Sequence, residues 1–228
     1  MTGAPSASLL GDLGRAVGQM ADPRFRRVLW RGLGLAAVLL VVFHGLFWWG
    51  LTRLSWGGFL FGWGSVLLLG VASVFLMIPV AAAIVSLFLD EVAAAVEAKY
   101  YPGLPAGQGP GLGAGLADAA RFLGLLILAN CLAFALYLML PPLAPVIFFA
   151  LNGFLLGREY FQVAAARRLG REGAAALRRH HRGEIWLAGC LMALPLSVPL
   201  LNLVVPVLGA AAFTHTFHRL AARDARDA

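Results

Sequence analysis

Four arginines, Arg24, Arg26, Arg27 and Arg31, stand at the opening of an apolar block that follows Asp22-Pro23. Guanidinium groups hold tetrahedral oxyanions through a fork of N–H donors. Asp suits the N-cap of a helix and Pro its first position, so Asp22-Pro23 predicts a helix start. Such a start adds unpaired amides and the positive end of the helix dipole. Arg24, Arg27 and Arg31 recur at spacings of three and four, which puts them on one helix face. The chemistry on offer is non-covalent capture of an anion, with the Asp22 carboxylate as a competitor for the same amides. The same arginines suit two other tasks: anchoring a helix end on the cytoplasmic side of a membrane, and binding lipid headgroups.

Further charged and polar residues are placed where apolar segments end. Arg158-Glu159 closes an apolar arm, as a buried pair beside a pore or as a surface pair capping a helix. Arg31, Asn152, Arg158, Glu159 and Asn202 are the polar side chains expected to line an internal path. The run Arg167, Arg168, Arg171, Arg178, Arg179 and Arg182, with His180 and His181, reads as a solvated face or as an anion funnel at a pore mouth. His215 and His218 are three apart with no acidic or thiol partner near them in sequence, so no metal site is expected. Cys131 and Cys190 lie in apolar blocks without C-x-x-C spacing and are expected as small core residues. No H-E-x-x-H, G-x-S-x-G or Walker pattern occurs, which argues against an enzyme, and no cofactor is implied.

The elements that must position these residues are membrane helices. Of 228 residues 61% are hydrophobic and 13% charged, against about 25% charged in soluble domains. Mean hydropathy is +0.82. One membrane domain uses the whole length. It divides into an amphipathic N-terminal segment (1–22), a first transmembrane helix and turn (23–58), a second long helix (59–101), a Gly/Pro-rich flexible linker (102–121), a first hairpin (122–161), a basic cytoplasmic helix (162–184), a second hairpin (185–213) and a tail (214–228). An aromatic belt of Phe47, Trp48, Trp49 and Trp56 marks the far end of the first crossing. Both hairpins are broken by proline: Pro141, Pro142 and Pro145 in one, Pro195, Pro199 and Pro206 in the other. In the first, residues 122–140 approach the ~20 needed to cross a bilayer, whereas 146–156 reach only about 16 Å at ~1.5 Å per residue. Either the prolines turn inside the bilayer, or polar residues buried in protein lengthen the second arm. The fold expected is an all-α integral membrane protein: two long transmembrane helices, two proline-broken half-penetrating hairpins and an N-terminal amphipathic helix on the membrane surface.

Charge orients this arrangement. With the N-terminus inside and each hairpin returning to its own side, all 18 Lys and Arg residues except Arg53 are cytoplasmic. The net charge of +7 is thereby explained without a nucleic-acid partner. A weak repeat relates the two hairpins, each with an early cysteine, a proline-broken middle and an arginine at its exit, Arg158 and Arg219. Paired broken segments of this kind point to a solute site in transporters.

Three stretches resemble the CysZ/etoposide-induced-protein family. They are the run from Asn152 to Phe161 (NGFLLGREYF), the run from Pro199 to Ala212 (PLLNLVVPVLGAAA) with Thr214-His215 and Phe217-His218-Arg219 after it, and the basic opening 22–31. The resemblance implies a bacterial inner-membrane, multi-pass sulfate permease serving cysteine biosynthesis, with two long helices and two half-penetrating pairs. It also implies a sulfate site in which Phe25, Arg26 and Arg27 match the family's Leu-Arg-Arg and Arg24 stands at its glycine. Sulfate or a similar oxyanion and membrane lipids are the partners expected, and exposed half-helices favour a homo-oligomer. The reading that competes with a permease is a non-transporting scaffold or lipid-binding protein of the same fold.

Overall fold

The computed structural model of the chain describes residues 8–53, 89–105, 107, 112–198, 201 and 204–227. Every regular element among them is helical: α1 (Leu9–Gln19), α2 (Pro23–Arg53), α3 (Leu89–Tyr100), α4 (Leu112–Met139), α5 (Ala144–His180), α6 (Arg182–Ala193) and α7 (Val205–Asp227), with single 3-10 turns at Pro141–Leu143 and Leu194–Ser197. Helix α2 starts at Pro23, and the Arg26 amide donates to Asp22 O at 3.1 Å, as an N-cap carbonyl requires. Of the expected second long helix only the end from Leu89 is described. Trp56 and Asn202 lie outside the described residues.

The core is built around α7. Its residues from Val205 to Phe217 are buried with one partial exception, Leu208, and it packs against α1, α3, α5 and α6. Helices α5 and α6 run antiparallel, since Gly153 sits beside Cys190 and Gly157 beside Ile185. A Cβ on Gly157 would fall 2.6 Å from Ile185 O, and one on Gly153 2.9 Å from the Cys190 amide nitrogen. Glycine is therefore what lets these backbones touch, as small residues do between membrane helices.

The prolines break the chain where the sequence places them. Pro141 and Pro142 open a 3-10 turn after Leu140, and the Leu143 amide donates to Leu140 O at 3.0 Å. The second arm, however, is not a short piece. From Ala144 the helix continues past the apolar residues to Leu169, about 39 Å at ~1.5 Å per residue, with Ala164 and Ala165 buried in protein. Helical geometry ends at Gly170, whose φ of 68° is open to glycine at little cost, and a separate basic turn-back follows to His180. Among the described residues, Pro141–His180 is the one stretch long and apolar enough to cross a membrane.

Apolar surface faces outward over much of the molecule. Trp30 and Trp49 on α2 are both exposed and are separated by about 28 Å of helix at ~1.5 Å per residue, close to the ~30 Å hydrocarbon core. Ile127, Leu128, Leu132, Phe134 and Leu138 on α4 are exposed as well. Cys131 shares that exposed surface, contrary to its expected place in the core.

Helix α1 is amphipathic, and its inward face mixes apolar with polar residues, since Leu9, Leu13 and the C-cap Met20 pack against the core. Asp12 and Gln19 are fully buried with Ala16, whereas Leu10 and Val17 are exposed. Asp12 and Gln19 are stable on that face because α7 offers partners for them.

Candidate anion site

The start of α2 is fixed by one aromatic side chain. Phe25 is 2% exposed and belongs to the core, while Arg26 and Arg27 beside it are exposed. The two guanidiniums are thus held at the open end of a long helix by a neighbour that cannot leave the protein. The Arg24 side chain lies outside the described residues. Asp22, the competitor for the helix-start amides, is paired with Lys99 of α3 at 2.9 Å. Arg31 faces Glu91 at 3.6 Å with both side chains more than half exposed, a pair worth little in water.

Behind this helix start lies a buried polar interior at the junction of α1, α3, α5 and α7. Arg168 Nε and Nη2 donate to Glu97 Oε1 and Oε2 at 2.9 and 2.6 Å, and His218 Nε2 lies 3.2 Å from Oε1. Arg168 Nη1 also donates to Pro105 O. Burial alone would raise the Glu97 pKa, but hydrogen bonds from His218 and Arg168 and their charges win and bring it down to about 2. Arg167 donates to Asp90 through both its backbone oxygen and its carboxylate, at 3.0 and 3.3 Å.

A second cluster ties α1 to α7. Asp12 accepts from Arg219 Nε at 2.8 Å and from the Thr216 hydroxyl at 3.1 Å, and Arg219 also reaches Glu184. His215 is fully buried, with Nε2 2.7 Å from the Gln19 amide and Nδ1 2.9 Å from the Tyr101 hydroxyl. Burial, then the nearby Arg15 and His218 charges, pushes its pKa down to about 4. The ring of Tyr101 stacks on His218 at 4.0 Å. His218 therefore has the acidic partner that its sequence neighbourhood lacks, and that partner is Glu97.

The expected path-lining residues do not converge. Asn152 turns its amide back onto its own helix, donating to Phe148 O at 2.9 Å. Arg31 is at the other helix, and Asn202 is not described. Arg158 is brought to a different set: with Arg178, Arg179 and Arg182 it lines a cavity of about 320 Å³, completed by Phe154, Gly157, Ile185 and Trp186. Glu159, next to Arg158 in the chain, is half-buried. The signal for this meeting was the glycine spacing, Gly153 and Gly157 on one segment and Gly189 on another, which allows two helices to close and carries Arg158 to Arg182.

Among the described residues one group has the spacing for a metal ion: His180, His181 and Asp224, whose ligand atoms lie within 4.8 Å of one another. Its His181 Nε2 and Asp224 Oδ1 are 2.7 Å apart, so a hydrogen bond already accounts for that pair. Arg179 and Arg182 flank the histidines and oppose a cation.

The described residues are thus apolar over much of the outside and ionic within, with exposed cations at a helix start. A comparison with curated proteins finds no match. The family model for sulfate transporter CysZ/etoposide-induced protein 2.4 matches residues 12–206, which takes in the arginine-bearing helix start, both glycine-contacted helices and the cavity. The chain therefore belongs to the sulfate transporter CysZ/etoposide-induced protein 2.4 family, a family of membrane transporters.

Proposed function

We propose that the protein is a multi-pass permease of the bacterial inner membrane that admits sulfate for cysteine biosynthesis. The observation that carries this reading is the helix start: Phe25 anchored in the core, Arg26 and Arg27 exposed beside it, and Asp22 engaged by Lys99. A dianion there meets two guanidinium forks, the first-turn amides and the dipole of a 31-residue helix. Arg24 adds a fourth source of positive field. Pairing Asp22 with a lysine lowers the repulsion that its carboxylate would exert on the anion.

With the N-terminus inside, this site lies at the cytoplasmic end of the path, where its field draws sulfate inward. The proline-broken hairpins flank that path, and Arg31, on the same helix as Arg26 and Arg27, supplies a further cation along it. The exposed apolar faces of α2 and α4 suit lipid and the helices of further copies, which favours a homo-oligomer around the path.

Sulfate uptake into proteoliposomes, with and without a pH gradient, tests the activity. Sulfate binding by Arg26→Ala/Arg27→Ala tests the site. Flux above protein-free vesicles and loss of binding in the double variant are expected. Unchanged affinity removes the site, and absent flux leaves the scaffold reading in its place.

A further inference from the structure

The cavity between α5 and α6 combines two chemistries that inorganic sulfate does not need together. Arg158, Arg178, Arg179 and Arg182 line one part of it, and Phe154, Ile185 and Trp186 the other. No carboxylate belongs to its described lining. Its volume of about 320 Å³ reaches the ~300–1,000 Å³ of small-molecule sites, well beyond one tetrahedral ion. The apolar side is not closed off. Phe154 and Trp186 are 48% and 43% exposed, and Leu187 next to them is 50% exposed, so the cavity opens onto the outward apolar surface of the helix pair. Trp186 is held in place by its indole N–H, which donates to Ala150 O at 3.0 Å.

The arginines are crowded. Four guanidiniums share this one lining and repel one another. An anion in the cavity relieves that repulsion. Basic pockets between membrane helices on the cytoplasmic side, beside a tryptophan at the headgroup level, are suited to anionic lipid headgroups.

We propose that this cavity binds an anionic phospholipid, with its phosphodiester held by Arg158, Arg178, Arg179 and Arg182 and its glycerol and upper acyl carbons lying against Phe154 and Trp186. A lipid with two phosphodiesters matches four guanidiniums better than a lipid with one. The site is separate from the start of α2, so its loss and the loss of sulfate binding are distinguishable.

Native mass spectrometry of the detergent-purified full chain tests this with added cardiolipin, phosphatidylglycerol or phosphatidylcholine, and with inorganic sulfate as competitor. Adducts are expected in the order cardiolipin, phosphatidylglycerol, phosphatidylcholine. In Arg178→Ala/Arg182→Ala the bound fraction of cardiolipin falls about ten-fold, because charge-assisted forks are lost. Arg178→Lys/Arg182→Lys keeps the charge and the fold and gives a smaller fall, while Arg223→Ala, on an exposed pair with Asp227, leaves the adduct unchanged. Sulfate binding at the Arg26 and Arg27 site persists in both double variants. Equal adducts with phosphatidylcholine, an undiminished adduct in both double variants, or displacement of cardiolipin by millimolar sulfate would each overturn the proposal, the last by showing a site for free oxyanions.

Discussion

Glu97 on α3 and Arg168 on α5 form a two-pronged ion pair, Nε to Oε1 at 2.9 Å and Nη2 to Oε2 at 2.6 Å, with the carboxylate 5% exposed. This pair and His218 join α3, α5 and α7. Removing one partner leaves the other charge buried, which costs about 3–5 kcal/mol. Glu97→Ala should therefore lower the thermal midpoint sharply in detergent, and Glu97→Ala/Arg168→Ala should recover part of the loss. The Glu97 pKa falls from 4.5 to about 2 on folding. Its contribution is complete above about 4.5 and is lost as pH drops towards about 2. A pH titration of stability over that window should flatten in Glu97→Gln.

His215 titrates in a higher window with the same sign. Its folded pKa, about 4, lies below the ordinary 6.5, so the unfolded chain takes up the proton first as pH falls. Stability from this residue is complete above about 6.5 and declines down to about 4. The groups facing it are Gln19, Tyr101, Tyr100, His218 and Arg15. Chemical unfolding of wild type and His215→Asn at pH 7 and pH 5 checks this: the gap between the two pH values should shrink in the variant. Tyr101 stays protonated throughout, since burial, then the Asp12 charge, lifts its pKa to about 12.

Residue order alone makes legible what is local. Asp22-Pro23 marks the start of α2 because an N-cap and a first-turn proline act within one turn. Pro141 and Pro142 end α4 for a similar reason. Which face of α1 turns inward is not legible in this way: Leu9, Leu13 and Met20 pack inward together with Asp12 and Gln19, while Leu10 and Val17 stay outside. Choosing that face requires Arg219, which is 207 residues from Asp12. In sequence Gly170 is one glycine in a polar helix, yet it reverses the chain and makes Arg178 and Arg182 neighbours of Arg158. Apolar residues alone make the second arm of the first hairpin short, and the alternative of an arm lengthened by polar residues is the one that the helix to Leu169 follows. Those polar residues are helical, and Glu97 supplies the partner that lets Arg168 be buried.

Glycine substitutions should separate contact from mere helix propensity. A Cβ on Gly189 would run into Gly153 O and lie 2.8 Å from the Gly157 nitrogen. Both are backbone atoms that cannot move aside, so Gly189→Ala should destabilise by about 1–3 kcal/mol through overpacking. A Cβ on Gly14 in α1 would meet nothing within 4 Å. Gly14→Ala should stabilise by up to about 1 kcal/mol from helix propensity. Thermal melts of the two variants in the same detergent give the comparison, and a similar shift in both would mean that α5 and α6 are not in backbone contact.

The pairing of Asp22 with Lys99 makes a charge prediction about the proposed sulfate site. The lysine reaches across from α3 and neutralises a carboxylate that sits at the mouth of α2. In Lys99→Ala that carboxylate is released and repels an incoming dianion, so sulfate affinity should fall about five-fold, or ~1 kcal/mol. The loss should grow at low ionic strength, where screening is weaker. Asp22→Asn in the Lys99→Ala background removes the repulsion and should restore most of the affinity. If Lys99 instead holds sulfate directly, the second substitution recovers little, because the missing cation is not replaced. Isothermal titration of sulfate into the two variants at low and moderate salt distinguishes these outcomes, and it does so without disturbing Arg26 or Arg27.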